Sequence, residues 1–75
     1  MPYKTVISAD GKYFALLFDY TFQVWSVSKG ELIAERKLKA KGVYAAAFSP
    51  DGKYLAIGTS DKKIRVWEMK AIKKG

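Results

Sequence analysis

Asp10-Gly11-Lys12-Tyr13 and Asp51-Gly52-Lys53-Tyr54 twice set a carboxylate, a glycine and a lysine side by side, and Val24-Trp25 and Val66-Trp67 follow each copy about a dozen residues later. Groups of this kind could serve acid/base chemistry, a phosphate-binding loop or a platform of indole rings for a ligand. The spacing argues against the first two. Asp51-Gly52-Lys53 lacks the spacing of a Walker motif and reads as a hairpin turn. The 7 acidic residues are scattered over strands and turns, with no pair set by sequence alone for acid/base work. Ser8, Ser26, Ser28, Ser49 and Ser60 have no histidine to activate them, because the chain contains none. With no histidine and no cysteine, the commonest general base, the commonest metal ligand, the thiol nucleophile and the thiolate metal site are all missing. The expectation is a protein that is not an enzyme and holds no cofactor or metal.

The two groups are instead landmarks of an internal repeat. An offset of 41 residues, rising to 42 after a one-residue gap near Phe18, places Tyr3 on Tyr44, Ser8 on Ser49, Ala15 on Ala56 and Asp19 on Asp61. Ten of the 23 aligned pairs between Tyr3 and Trp25 are identical, enough to treat the halves as copies of one unit. A period near 40 residues with strand-like patterning marks a unit that must stack on others of its kind.

With 75 residues the chain makes one small domain, and a domain of this size buries only about 60% of its unfolded surface. No apolar run approaches the roughly 18–20 residues of a membrane span. Met1-Pro2-Tyr3-Lys4 lacks the charged-then-apolar order of a signal peptide. The absence of cysteine fits a reduced setting, so a cytoplasmic location is expected.

Seven strands are expected. Tyr3–Ser8 and Val43–Ser49 run into Ser-Ala-Asp-Gly and Ser-Pro-Asp-Gly, sequences suited to tight turns. Tyr13–Phe18 and Tyr54–Thr59 are mostly apolar, as in strands covered on both faces. Phe22–Val27 and Ile64–Met69 alternate. Lys29-Gly30 then turns the chain into Glu31–Leu38, a charged strand of the kind that protects a sheet edge, although Glu31, Glu35 and Lys39 also have helical spacing over Lys29–Lys41. No eighth strand is expected, because Lys70–Gly75 is short and basic.

Phe48-Ser49-Pro50-Asp51-Gly52, Tyr54-Leu55-Ala56, and Asp61 six residues before Trp67 in Ile64-Arg65-Val66-Trp67 resemble a WD-repeat β-propeller. Ser8-Ala9-Asp10-Gly11, Phe14-Ala15 and the same step from Asp19 to Trp25 repeat the match more loosely. The resemblance covers nearly the whole chain up to Met69. It implies an all-β fold of two propeller blades, each an antiparallel meander with its Asp-Gly strand innermost. Residues 1–42 would form a four-stranded blade, and residues 43–75 a three-stranded blade with a basic tail. It also implies structural roles for Asp10, Gly11, Asp19, Trp25, Asp51, Gly52, Asp61 and Trp67, the aspartates as turn acceptors and the tryptophans as anchors burying on the order of 200 Å² each. The Gly-His pair usual in the family is replaced by Leu38-Lys39-Ala40-Lys41-Gly42, so its histidine network cannot form.

Lysine and arginine outnumber acids by 14 to 7, and the excess gathers at Arg36, Lys37, Lys39 and Lys41 and again at Lys62, Lys63, Arg65, Lys70, Lys73 and Lys74. Such clusters keep a β protein soluble, meet an acidic protein, or neutralise phosphates. Tyr20 and Tyr44 are the candidate stacking aromatics for the last case. Two blades cannot close a ring, so the resemblance implies assembly of three or four copies, or a larger parent protein. The leading expectation is a non-catalytic scaffold that binds protein partners and copies of itself. A basic nucleic-acid-binding module, and an engineered or excised propeller fragment with no function of its own, remain open.

Overall fold

A computed structural model of the chain describes residues 4–38 and 42–73, with the side chains of residues 44 and 73 left aside. Its elements follow the order β1 (Lys4–Ile7), β2 (Tyr13–Leu17), β3 (Thr21–Ser26), β4 (Glu31–Lys37), β5 (Val43–Phe48), β6 (Tyr54–Thr59), β7 (Ile64–Glu68) and α1 (Met69–Lys73). The charged segment from Glu31 is a strand, not a helix. Both sheets are antiparallel meanders in chain order, β1-β2-β3-β4 and β5-β6-β7. Short turns join consecutive antiparallel strands, so no crossover is needed.

Register decides which residues each sheet presents to the other. In the first sheet Val6, Ala15, Val24 and Ala34 form one row, and Leu17 and Phe22 stand opposite one another in the next. This is the inner face, where Ala15, Leu17, Phe22 and Val24 are wholly buried. The second sheet answers with Leu55 and Ile57, also wholly buried, and with Phe48, Ala46 and Trp67 packed against them. The Trp67 indole meets the Phe22 ring edge-on, with centroids 4.7 Å apart and planes at 63°. Each sheet thus buries one face against the other, which neither could do alone.

A bulge between Val24 and Trp25 shifts the β3–β4 register by one residue, and another interrupts β5 between Val43 and Ala45. Such bulges increase local twist and redirect the strand.

The basic tail contains an element not expected from its composition. The third strand of the second sheet ends at Glu68, one residue earlier than the alternating pattern indicates, and Met69 opens the short helix α1. Met69 and Ile72 stand three positions apart, a spacing that puts both on one side of a helix, and both are buried in the common core. The helix packs on β4 as well as β7. Arg36 Nη2 donates to the Ile72 carbonyl at 3.2 Å, satisfying an oxygen at the helix end.

The central packing makes a direct prediction. Phe22→Ala is expected to cost about 3–5 kcal/mol, a large share of the stability of a domain this small. Trp67→Ala is expected to lower the melting temperature more than Trp25→Ala, because Trp67 lies between the sheets while Trp25 lies on the far face of the first. Thermal unfolding followed by circular dichroism measures both, and equal melting of the two tryptophan variants would contradict the placement.

Candidate functional site

The expected residues fall into three groups: the repeated Asp-Gly turns, the turns that carry Asp19 and Asp61, and the cations. In the β1–β2 turn the Ser8 hydroxyl donates to Asp10 Oδ1 at 2.6 Å and accepts from the Tyr13 amide at 3.0 Å, and the Lys12 amide donates to the same carboxylate oxygen at 3.0 Å. The β5–β6 turn reproduces this with Ser49, Asp51, Lys53 and Tyr54 at 2.6, 3.0 and 3.0 Å. Gly11 and Gly52 both take φ of 73°, a left-handed conformation that lets the chain close the turn without a side-chain penalty. The two turns lie side by side, since a Cβ added to Gly52 would sit 3.4 Å from Asp10 Oδ2. The Ser and Lys12 hydrogen bonds hold the Asp10 carboxyl below its ordinary value, and their Ser49 and Lys53 counterparts do the same for Asp51. Asp-Gly-Lys is therefore a hairpin device here, and its carboxylates are occupied by turn donors.

The second pair of turns explains the one-residue gap in the repeat. In the first sheet the Phe18 amide bonds the Thr21 carbonyl at 2.8 Å, leaving Asp19 and Tyr20 between them. In the second sheet the Thr59 amide bonds the Lys63 carbonyl at 3.0 Å across three residues, the last of which, Lys62, takes φ of 66°. The extra residue is the left-handed position typical of three-residue hairpin loops. Within this longer turn Asp61 accepts from the Thr59 hydroxyl at 2.6 Å, the Lys63 amide at 3.2 Å and Arg65 Nη2 at 2.9 Å. Arg65 Nη1 also donates to Thr59 Oγ1 at 2.6 Å, closing the set. The Arg65 guanidinium is the main reason that the Asp61 carboxyl lies far below the ordinary carboxylate range, with the Thr59 hydroxyl second. In the sequence Arg65 stands in a basic cluster that could form a partner surface, and nothing singles out Thr59. The signal was present as an arginine four residues after a turn aspartate.

The two tryptophans occupy equivalent repeat positions but different surroundings. Trp25 stacks on Phe14 with planes 6° apart and centroids at 6.1 Å, and its Nε1 donates to Gln23 Oε1 at 3.0 Å. Gln23 in turn donates from Nε2 to Glu35 Oε2 at 2.8 Å. This chain of contacts lies on the outer face of the first sheet, which no described element covers.

The cations are only partly gathered. Arg36 is engaged with the backbone of Ile72 and of Glu35, and Arg65 with Asp61 and Thr59. Lys37 ends β4, Lys62 and Lys63 lie in the β6–β7 turn, and Lys70 sits on α1; all four are exposed. Lys39, Lys41 and Lys74 lie outside the described residues, as do the side chains of Tyr44 and Lys73; Tyr20 is exposed. Among the described residues no group of histidine, cysteine, aspartate and glutamate could hold a metal ion. A groove of about 610 Å³ is lined by residues of the first sheet and its turns, including Lys12, Tyr13, Ser26, Lys29 and Ile33. No helix among the described residues is long and apolar enough to cross a membrane.

Two consecutive four- and three-stranded meanders packed face to face are the blades of a β-propeller, and the solved structures agree. Kuenenia stuttgartiensis hydrazine synthase matches 93% of this chain with a TM-score of 0.82, at 16% identity and over 20% of its own length, a likeness of fold alone. The family described as "WD domain, G-beta repeat" matches residues 30–68, and the chain belongs to the WD-repeat family. Its relatives include a coronin-like protein of Saccharomyces cerevisiae, 40% identical over 69% of this chain and 8% of its own length. Pre-mRNA-processing factor 19 homolog 2 of Arabidopsis thaliana is 36% identical over 80% of this chain and 12% of its own. Intraflagellar transport protein 122 homolog of Mus musculus is 32% identical over 91% of this chain and 6% of its own. The chain thus spans no more than 12% of the length of these curated relatives.

The turn carboxylates set an expected pH dependence. Asp10, Asp51 and Asp61 are all held below the ordinary aspartate value of 3.8 in the folded state. Their stabilisation is therefore complete above that value and is lost as pH falls through the depressed folded values. The melting temperature is expected to be steady from pH 7 to about 5 and to drop below about pH 4. Asp61→Asn should remove the largest part of the acid-induced drop, and an unchanged acid limb in that variant would contradict the network.

Proposed function

We propose that the chain is a non-catalytic WD-repeat scaffold that stacks with further blades, including those of its own copies, and uses the assembled surface to bind protein partners in the cytoplasm. Residues 1–42 and 43–75 are its two blades, and together they make one small domain. Asp10, Gly11, Asp51 and Gly52 close the inner hairpins, Asp19 and Asp61 hold the turns opposite them, and Trp25 and Trp67 anchor the blade faces. The observation that carries the reading is that the outer face of each sheet remains open and apolar. Ile7 is 66% exposed on the first sheet, and Ile64 and Val66 are 75% and 60% exposed on the second. Apolar surface of this kind marks an interaction site. Three or four copies would bring the blade count to six or eight, within the range that closes a propeller. A larger parent protein would meet the same need.

Family membership supports protein partners over nucleic acid, and the engagement of Arg36 and Arg65 within the fold leaves fewer cations free for phosphates. Sedimentation velocity across micromolar concentrations is expected to give the mass of three or four chains, and a folded monomer throughout would refute self-assembly. Titration of RNA and DNA against salt separates the nucleic-acid alternative. Weak binding is expected, whereas tight binding whose log affinity falls linearly with log salt would favour phosphate neutralisation.

A further inference from the structure

The internal repeat carries information about the open faces beyond the fact that they are apolar. The inner face of the first sheet, which receives the second sheet, is built from Ala15, Leu17, Phe22 and Val24. Their repeat equivalents, by the same offset, are Ala56, Gly58, Ile64 and Val66. Pairing of Ala56 with Val66 and of Gly58 with Ile64 puts these four on one face of the second sheet, and it is the open one. The converse holds for the face that the second sheet inserts. Its Leu55, Ile57 and Trp67 are equivalent to Phe14, Leu16 and Trp25, and Phe14 and Trp25 stack on the open face of the first sheet.

The molecule thus repeats its receiving surface at one end and its inserting surface at the other. We propose that a second copy of this chain docks head to tail, its Phe14–Trp25 face seated on the Ala56–Gly58–Ile64 face in the way that the second sheet is seated on the first. This inference rests on the self-assembly reading above and specifies which faces meet.

Side-chain volume supports the pairing. On the receiving side Gly58 stands for Leu17 and Ile64 for Phe22, so the open face is shallower in side chains and holds a groove of about 180 Å³ bordered by Ala45, Ala47, Ala56, Gly58 and Ile64. On the inserting side the tryptophan is unchanged, while Phe14 stands for Leu55 and Ile7 for Phe48, so one position gains volume and another loses it. The lowered floor leaves room for the Phe14 and Trp25 rings, the stacked aromatic pair of the inserting face. Backbone at Gly58 is free to approach or to accept a side chain, since an added Cβ would meet only the Ala45 carbonyl at 3.8 Å. The contact uses two different patches, so it is heterologous, and repetition closes a ring or extends a filament according to the rotation per chain.

Two variants that each block one face test the assignment. Ile64→Glu charges the receiving face and Ile7→Glu the inserting side; both residues are mostly exposed, so the fold of the single chain does not depend on them. Circular dichroism melting checks that each is folded, and Gly58→Phe with Leu32→Glu replaces any variant that is not. Sedimentation of each folded variant alone is expected to give one chain, and an equimolar mixture a two-chain complex formed from the two unblocked faces. If either variant alone dimerises, like faces are pairing and the head-to-tail assignment is overturned. If the unaltered chain assembles and the mixture stays single, other surfaces are responsible and the assignment is again overturned. An unaltered chain that remains monomeric overturns the self-assembly reading itself.

Discussion

Everything in this molecule depends on two small sheets burying one face each against the other. A single sheet has two faces and no interior of its own, so each meander needs a second layer against which to bury a face. Only when Leu17, Phe22 and Val24 of the first sheet meet Leu55, Ile57 and Trp67 of the second does either acquire an interior. The contact runs from the innermost strands outward, since β1 lies along β5 at one side and α1 covers β4 at the other. The same requirement, applied to the faces left over, is the basis of the proposed stacking on further blades.

The polar residues serve that contact by fixing how the strands arrive at it. A slip of one residue in any hairpin would turn its buried row toward solvent. The Ser-Asp turns guard against this by tying the hydroxyl, the carboxylate and two amides of each inner hairpin into one closed set. The β6–β7 hairpin reaches the same end differently, with Arg65 bridging Thr59 and Asp61. The turn carboxylates are thereby taken up by local hydrogen bonds, and their electrostatics concern stability and register.

Much of this was legible in the residues. The doubled Asp-Gly and Val-Trp landmarks locate six of the seven strands to within a residue or so, because turn chemistry is local and repeats in the text. The charged strand from Glu31 is also readable, because Lys29-Gly30 marks the turn that precedes it. The helix at Met69–Lys73 was not, since a five-residue segment with two lysines has too little periodicity to announce itself, and only the nearby core makes burial of Met69 and Ile72 worthwhile. The Arg65 bridge escaped for a similar reason: composition counts a cation, whereas the fold gives it an acceptor four residues away. Trp25 and Trp67 show the limit most clearly, for identical motifs carry one ring into the interior and leave the other on an open face. Which copy is covered depends on the order of the blades, and no single motif records that.

The central claim is that the two sheets are held by one shared interior, with the Phe22 and Trp67 rings in direct contact. A double-mutant cycle tests it most directly, using Phe22→Leu, Trp67→Leu and the double variant, with urea unfolding as the readout. Because an edge-to-face aromatic pair contributes about 0.5–1.5 kcal/mol beyond the area it buries, the account predicts a coupling energy in that range, with the double variant less destabilised than the sum of the single ones. Strict additivity would mean that the rings do not meet, and would contradict the packing on which the rest of the account is built.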